Sequence, residues 1–285
     1  MVYIRTKIVK GIEYAYLVKS VWNPKYGMSK QETVKYLGRT SNISQDDLPE
    51  EYRNDSKIMA FISSHSMEER KENKKLVSKL QGEMIKMLLN ADFKGIVSSY
   101  KTYSHSGRLS DFYDKILKPV LYKIGELWKE NKISIADEHV ASNLVNDLIR
   151  TITIENTNTT RNDVKILICA PDGEWHEIGA NMIESILLEK GYKVFNLLPS
   201  ATSESIVRYV QNVTPDVILI SATLEENIPA VQRLVKKIKT KYSIPIVIGG
   251  QAINKTKTKL DATIIQNASL DETMKIIKSV IRTRS

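Results

Sequence analysis

The chain reads as a multidomain α/β protein: a small N-terminal β-meander, a four-helix bundle, and a C-terminal doubly wound, flavodoxin-like parallel sheet. Three observations predict this. Apolar residues alternate imperfectly over residues 2–37, recur at helical spacing over residues 57–155, and then collect into short runs separated by amphipathic segments. Composition places the boundaries at 1–56, 57–157 and 158–285, with the Asn- and Thr-rich stretch Asn156–Asp163 between the last two.

In the first segment, Val2–Val9 and Ile12–Trp22 are rich in Val, Ile and Tyr and predict two strands. Lys10-Gly11 and Asn23-Pro24-Lys25-Tyr26-Gly27 are turn signals. Gln31–Leu37 supplies a third strand, closed by Gly38. So small a sheet needs a partner for its apolar face. Residues 41–56 are polar and acidic and read as a linker or short helix.

Beyond it, Met67–Lys79 is heavily charged and predicts a solvated helix face. Leu76, Leu80, Met84, Met87 and Leu88 recur at helical spacing. Asp92–Tyr103 predicts a second helix, broken by His105-Ser106-Gly107. Leu109–Glu130 predicts a third, with an apolar stripe of Phe112, Ile116, Val120, Ile124 and Leu127 and a kink expected at Pro119. Ser134 suits the N-cap of a fourth, carrying Glu138, His139, Ser142, Val145 and Ile149. The third segment alternates strands (Val164–Ala170, Lys193–Leu198, Val217–Ser221, Ile244–Ile248, Thr263–Ile265) with helices (Ile178–Lys190, Glu204–Asn212, Pro229–Lys241, Asp271–Arg284). That alternation predicts a parallel sheet covered on both faces.

At 42% hydrophobic and 26% charged, the composition is that of a globular protein, with no apolar run long enough to span a membrane. The first residues lack the apolar core of a signal peptide, and a cytoplasmic location is expected. The single cysteine, Cys169, excludes an internal disulfide and a multi-Cys zinc site, and reads as a small buried residue. Net charge is +9, and residues 1–40 hold eight basic side chains against two acids. That excess suggests a polyanion partner, with Arg5, Lys7, Lys10, Lys19, Lys35 and Arg39 as candidate DNA contacts. Tyr14, Tyr16, Tyr26 and Tyr36 read either as contacts to bases or phosphates or as the packed face of the sheet.

The most informative stretch is Glu174-Trp175-His176-Glu177-Ile178-Gly179, between a predicted strand and a predicted helix. It puts an imidazole at the carboxyl edge of a parallel sheet, where ligands bind, with a carboxylate two residues earlier to hold its other nitrogen. Gly179 permits close approach of backbone to ligand. Ser221-Ala222-Thr223 and Gly249-Gly250 end the third and fourth strands at the same edge. The hydroxyls suit a buried polar ligand, and the glycines suggest a slot for a flat group.

This set resembles the cobalamin-binding domain family of methionine synthase, corrinoid methyltransferase carriers and cobalamin-dependent regulators. Their loop carries Asp or Glu, any residue, His, two residues and Gly, matched by Glu174, His176 and Gly179; Ser221 and Gly249-Gly250 match their later positions. The resemblance covers residues 70–285. It implies that His176 is the lower axial cobalt ligand and that the displaced dimethylbenzimidazole tail runs past Ser221, Thr223, Gly249 and Gly250.

Within the family, Trp128 followed after nine residues by Glu138-His139 resembles the signature of light-responsive, adenosylcobalamin-dependent transcriptional regulators. The resemblance implies an adenosyl group packed on Trp128 and Ile135, ribose hydroxyls bonded to Glu138, and homo-oligomerisation. The alternative for these residues is a core Trp and a helix-capping Glu-His pair. Two departures matter. Those regulators place a cobalt-ligating His directly after the Trp, where this chain has Lys129. A protonated Lys has no lone pair to offer, and His139 is expected to substitute only if its helix moves. They also begin with a winged helix-turn-helix, where this chain has a basic meander similar to a segment at the start of some transposases. The expected function is a cobalamin-binding sensor with a DNA-binding module, not an enzyme; the alternatives are a corrinoid carrier for methyl transfer and a cobalamin storage or trafficking protein.

Overall fold

The computed structural model describes residues 2–9, 12–23, 28–105, 107–157, 162–255 and 259–282. The chain divides into two compact units, Met1–Lys79 and Leu80–Ser285. Lys10-Gly11, Pro24–Gly27, Ser106 and most of the polar stretch after Asn156 lie outside the described residues.

The first unit is the expected antiparallel meander, in the order β1 (Val2–Val9), β2 (Ile12–Asn23), β3 (Met28–Arg39). β3 is longer than predicted at both ends. Pairing with β2 sustains it past residues of weak strand propensity, with register shifts at Ala15/Tyr16 and Leu17/Val18. One face buries Ala15, Leu17 and Leu37 against Ile43, Leu48, Ile58 and Ile62. Of the two readings of residues 41–56, linker or short helix, the structure takes the second in short pieces. Short 3-10 turns at Thr40–Asn42, Gln45–Asp47 and Glu50–Tyr52 press Ile43 and Leu48 onto the sheet, before the long helix α1 (Ser56–Leu89) begins.

In the second unit, the end of α1 is followed by α2 (Phe93–Ser104), α3 (Leu109–Phe112), α4 (Lys118–Lys129) and α5 (Ile135–Asn156). Asp92 caps α2 by accepting from the Gly95 amide, and Ser134 caps α5 in a capping box with Asp137. The capping alternative for Glu138-His139 is thus corrected: Asp137 performs that task. The predicted third helix is interrupted by a π turn, Tyr113–Leu117, immediately before the turn that holds Pro119. Pro119 has no amide hydrogen for the Lys115 carbonyl four residues earlier, and the Gln81 side chain supplies the missing donor at 2.6 Å. Phe112, Ile116, Val120 and Ile124 are fully buried, and Leu127, the last of the predicted stripe, is partly buried.

The parallel sheet contains β4 (Lys165–Cys169), β5 (Lys193–Asn196), β6 (Val217–Ser221), β7 (Ile246–Gly249) and β8 (Thr263–Ile264), in spatial order β5-β4-β6-β7-β8. Numbered within the sheet, that is 2-1-3-4-5, the flavodoxin-like order, with its switch point between β4 and β6. α7 (Ser203–Val213) and α8 (Ile228–Lys241) cover one face; α6 (Ile178–Glu189) and α9 (Leu270–Arg282) cover the other. The helical region is tied to this layer by buried Tyr113, whose hydroxyl donates to Ser185 Oγ at 3.0 Å, and by Asp114, which accepts from the Leu270 amide at 2.7 Å.

Gly250 holds the β6 and β7 ends together. Its φ is +119°, and a Cβ there would stand 2.1 Å from the Ala222 carbonyl oxygen. Gly250→Ala is expected to lower stability by about 3 kcal/mol through overpacking and backbone strain; a thermal melt of the apoprotein within about 0.5 kcal/mol of the parent would contradict this packing role.

Candidate functional site

The loop from β4 to α6 turns back on itself, the Glu174 amide donating to the Pro171 carbonyl at 3.1 Å. This drives the Glu174 side chain inward, where it has no solvent exposure. Five donors meet its two oxygens. Oε1 accepts from His176 Nδ1 at 2.7 Å and from the His176 amide at 3.1 Å. Oε2 accepts from the Thr223 amide at 2.8 Å, the Leu224 amide at 3.1 Å and Asn227 Nδ2 at 3.0 Å. Burial is the largest influence on its pKa and pushes it up. The His176, Thr223, Asn227 and Leu224 hydrogen bonds together overcome it and hold the carboxyl at about 2.

An ionised carboxylate only accepts, so His176 Nδ1 carries a hydrogen. The other ring nitrogen, Nε2, is then the atom free to meet a ligand, and no described residue bonds it. The His176 side chain is 54% exposed. Its pKa is raised, first by the Glu174 hydrogen bond, against the opposing effect of burial, and then by the charges of Glu174, Glu138 and Glu226. Glu138 lies at the start of α5, so the helical region presents charge to this loop.

The remaining predicted residues divide into three groups. Ser221 ends β6 opposite Gly249 on β7, as expected for one shared edge. Thr223 reaches the site through its backbone amide, which holds Glu174. The two glycines differ: the Ala222 backbone fills the space above Gly250, while a Cβ on Gly249 meets nothing nearer than Ile265 at 3.8 Å. Gly179, on the first turn of α6, faces open space. In the α4–α5 turn, Trp128 is 42% and Ile135 55% exposed, a costly way to leave large apolar groups. Glu138 accepts from Ser142 Oγ at 2.6 Å and pairs with His139 Nδ1 at 2.8 Å. Lys129 is exposed at the end of α4.

Asn227 was not singled out from the sequence. It ends a 3-10 turn, Glu225–Asn227, before α8, and only the fold brings it beneath the loop; the polar Glu225-Glu226-Asn227 run gives no sign of it. Asn146 of α5 is a second such residue. Its Nδ2 donates to Glu177 at 3.0 Å and its Oδ1 accepts from Asn181 at 3.2 Å, tying the helical region to the start of α6.

Among the described residues, no three His, Cys, Asp or Glu side chains converge to hold a metal ion. One oriented imidazole with a free Nε2 suits a metal whose in-plane positions are filled by its own macrocycle, and the residues present fit a corrinoid.

Glu174→Gln is expected to destabilise the apoprotein by about 3 kcal/mol at neutral pH, since an amide nitrogen cannot accept from donors gathered for a carboxylate. The stabilising effect of the depressed Glu174 pKa is present above about 4.5 and is lost as pH falls toward about 2. That of His176 is complete below about 6.5 and is lost as pH rises through its raised folded value. The variant should therefore flatten both limbs of a melting-temperature-versus-pH curve and lower the His176 pKa read by proton NMR; an unchanged His176 titration would refute the pairing.

Comparison with known proteins follows the same division of the chain. Residues 164–270 match the model of a B12 binding domain, and residues 80–153 match a second B12 binding domain model. The HTH-type transcriptional repressor CarH of Myxococcus xanthus is 24% identical over 142 residues, 49% of this chain and 47% of that protein. A corrinoid protein of Desulfitobacterium hafniense (strain Y51) is 25% identical over 134 residues, 45% of this chain and 62% of that one. The chain thus spans about half to three-fifths of the curated relatives it matches. The structure of the Methanosarcina barkeri monomethylamine corrinoid protein superposes with a TM-score of 0.60 at 14% identity, covering 71% of this chain and 99% of that one, a likeness of fold. The chain carries a helical B12-binding domain followed by an α/β B12-binding domain.

Proposed function

We propose that the protein is an adenosylcobalamin-dependent, light-responsive regulator whose N-terminal sheet binds nucleic acid. The observation that carries this reading is the α4–α5 turn. It leaves Trp128 and Ile135 exposed, and it holds Glu138 where its charge reaches His176. A corrinoid carrier needs an upper face open to partner enzymes. A broad indole, an isoleucine and a carboxylate there suit a large upper ligand with an apolar base and ribose hydroxyls.

In this reading His176 Nε2 would ligate the cobalt, with Glu174 fixing the ring. Ser221, Thr223 and Gly249 line the groove for the nucleotide tail, and Gly250 secures its floor. Trp128 and Ile135 cover the adenosyl group, Glu138 accepts from ribose hydroxyls, and Ser142 and His139 hold the Glu138 carboxylate in place. When bound, adenosylcobalamin supplies a cobalt–carbon bond that light cleaves. A protonated Lys129 offers no lone pair to a metal, so His139 would take the place of a ligating His only if α5 moves. Homo-oligomerisation governed by the upper ligand completes the proposal, supported by the likeness to a repressor.

The test is the absorption spectrum of the full chain loaded with adenosylcobalamin in the dark and then under green light. We expect a His-ligated spectrum lost in His176→Ala, a light-dependent change, and adenosylcobalamin binding weakened about tenfold or more in Trp128→Ala. A spectrum indifferent to light removes the sensing role. Tighter binding of methylcobalamin than of adenosylcobalamin favours the carrier. Gly179→Ala offers a further check: it should leave the apoprotein as stable or slightly more so, because the Cβ meets no protein atom, yet weaken cobalamin binding. Undiminished affinity in that variant would show that the corrin does not approach this turn.

A further inference from the structure

The solvent face of the N-terminal sheet carries the inference. One face is sealed by Ile43, Leu48, Ile58 and Ile62. The opposite face displays Tyr14, Tyr16 and Tyr36, with the Tyr36 ring centroid 5.1 Å from that of Tyr16 and 6.3 Å from that of Tyr14. Tyr36 is 53% exposed, and Trp22, of the same strand parity as Tyr14 and Tyr16, is 61% exposed. Register places Arg5 opposite Tyr16, Lys7 opposite Tyr14, and Arg39 opposite Tyr14 on the other side. Arg5 Nη1 donates to Gln31 Oε1 at 2.6 Å, and Gln31 in turn bonds the Tyr3 hydroxyl, which holds the guanidinium along this face. Glu13 and Glu32 fall on the other parity, so among the described residues this face has cations and no carboxylate.

We infer that this face is a stacking platform for single-stranded nucleic acid. The inference rests on the nucleic-acid reading of the N-terminal unit proposed above and sharpens it. Charge selects a polyanion, and the rings select the kind. The flat faces of bases in a duplex are covered by their neighbours, whereas unpaired bases present them to tyrosine. A three-stranded sheet is about 10 Å across its backbone alone, before side chains, so it sits poorly in a major groove about 12 Å wide. Arg5, Lys7 and Arg39 border the rings and meet the phosphates of a strand laid across them. Lys35 has another task, donating to the Asp47 carbonyl at 2.8 Å on the covered side, and Lys19 falls on the parity opposite the rings. Lys10 lies outside the described residues.

The experiment measures fluorescence anisotropy of the full chain with labelled oligo(dT), oligo(U) and a mixed-sequence duplex of equal length, at low and raised salt. Either single strand should bind about tenfold or more tightly than the duplex, and comparing dT with U tells whether DNA or RNA is preferred. Tyr36→Ala should weaken single-strand binding about tenfold, Tyr36→Phe should keep it, and Arg5→Gln should reduce the salt dependence. The far-ultraviolet circular dichroism melt of each variant reports on the integrity of the N-terminal sheet. Duplex bound as tightly as single strands overturns the stacking platform and leaves the nucleic-acid reading standing. Binding of no oligonucleotide at low salt overturns both.

Discussion

The architecture of the site depends on one buried carboxylate. Glu174 has no solvent exposure, and the cost of burying an anion is met by five donors drawn from two loops and an asparagine side chain. Those loops leave β4 and β6 on either side of the switch point, where the helices above the sheet diverge and a crevice opens. The carboxylate closes the bottom of that crevice and aims the imidazole out of it. Ring orientation, tautomer and loop closure are therefore a single event. The extra methylene of Glu over Asp lets Oε2 reach across to the Thr223 and Leu224 amides while Oε1 still meets His176.

A second constraint joins the helical region to the sheet. Tyr113–Ser185 and Asp114–Leu270 fix the two layers at one side. Asn146 fixes them beside the site, in a chain of polar groups that continues through Asn181 to Asn196 and Glu184. Burial raises the Glu184 pKa and the Asn196 hydrogen bond opposes it. Directional hydrogen bonds at a helix–sheet junction set a rotation that apolar packing alone leaves free. That rotation decides where the start of α5, with Ile135 and Glu138, stands relative to His176.

The first unit follows different physics. Its sheet is thin and sealed on one side by Ile43 and Leu48 of the short turns and Ile58 and Ile62 of α1. The other side keeps aromatic and cationic side chains in the open, an arrangement a sheet of this size maintains only because α1 and the 3-10 turns supply its core.

The sequence by itself determined what local periodicity encodes. Three strands, the helical spacing of α2 and α5, most of the stripe Phe112–Ile116–Val120–Ile124–Leu127 and the succession of the parallel strands along the chain were all legible, because each follows from residues within a few positions of one another. So was the placing of the candidate residues: an acid and a His in one short loop, a Gly at the start of the next helix, and Ser221 and Gly249 at strand ends that a parallel sheet must place at one edge. What stayed hidden arises between distant segments. The Lys115 carbonyl in the π turn is met by Gln81, thirty-four positions earlier. Gly250 is required by the Ala222 backbone. Thr223 acts through its amide, and Asn227 lies under a loop more than fifty positions away in sequence. The tertiary structure decided these because hydrogen bonds and steric contact act over a few ångströms in space, and no local pattern records which distant atoms will come that near.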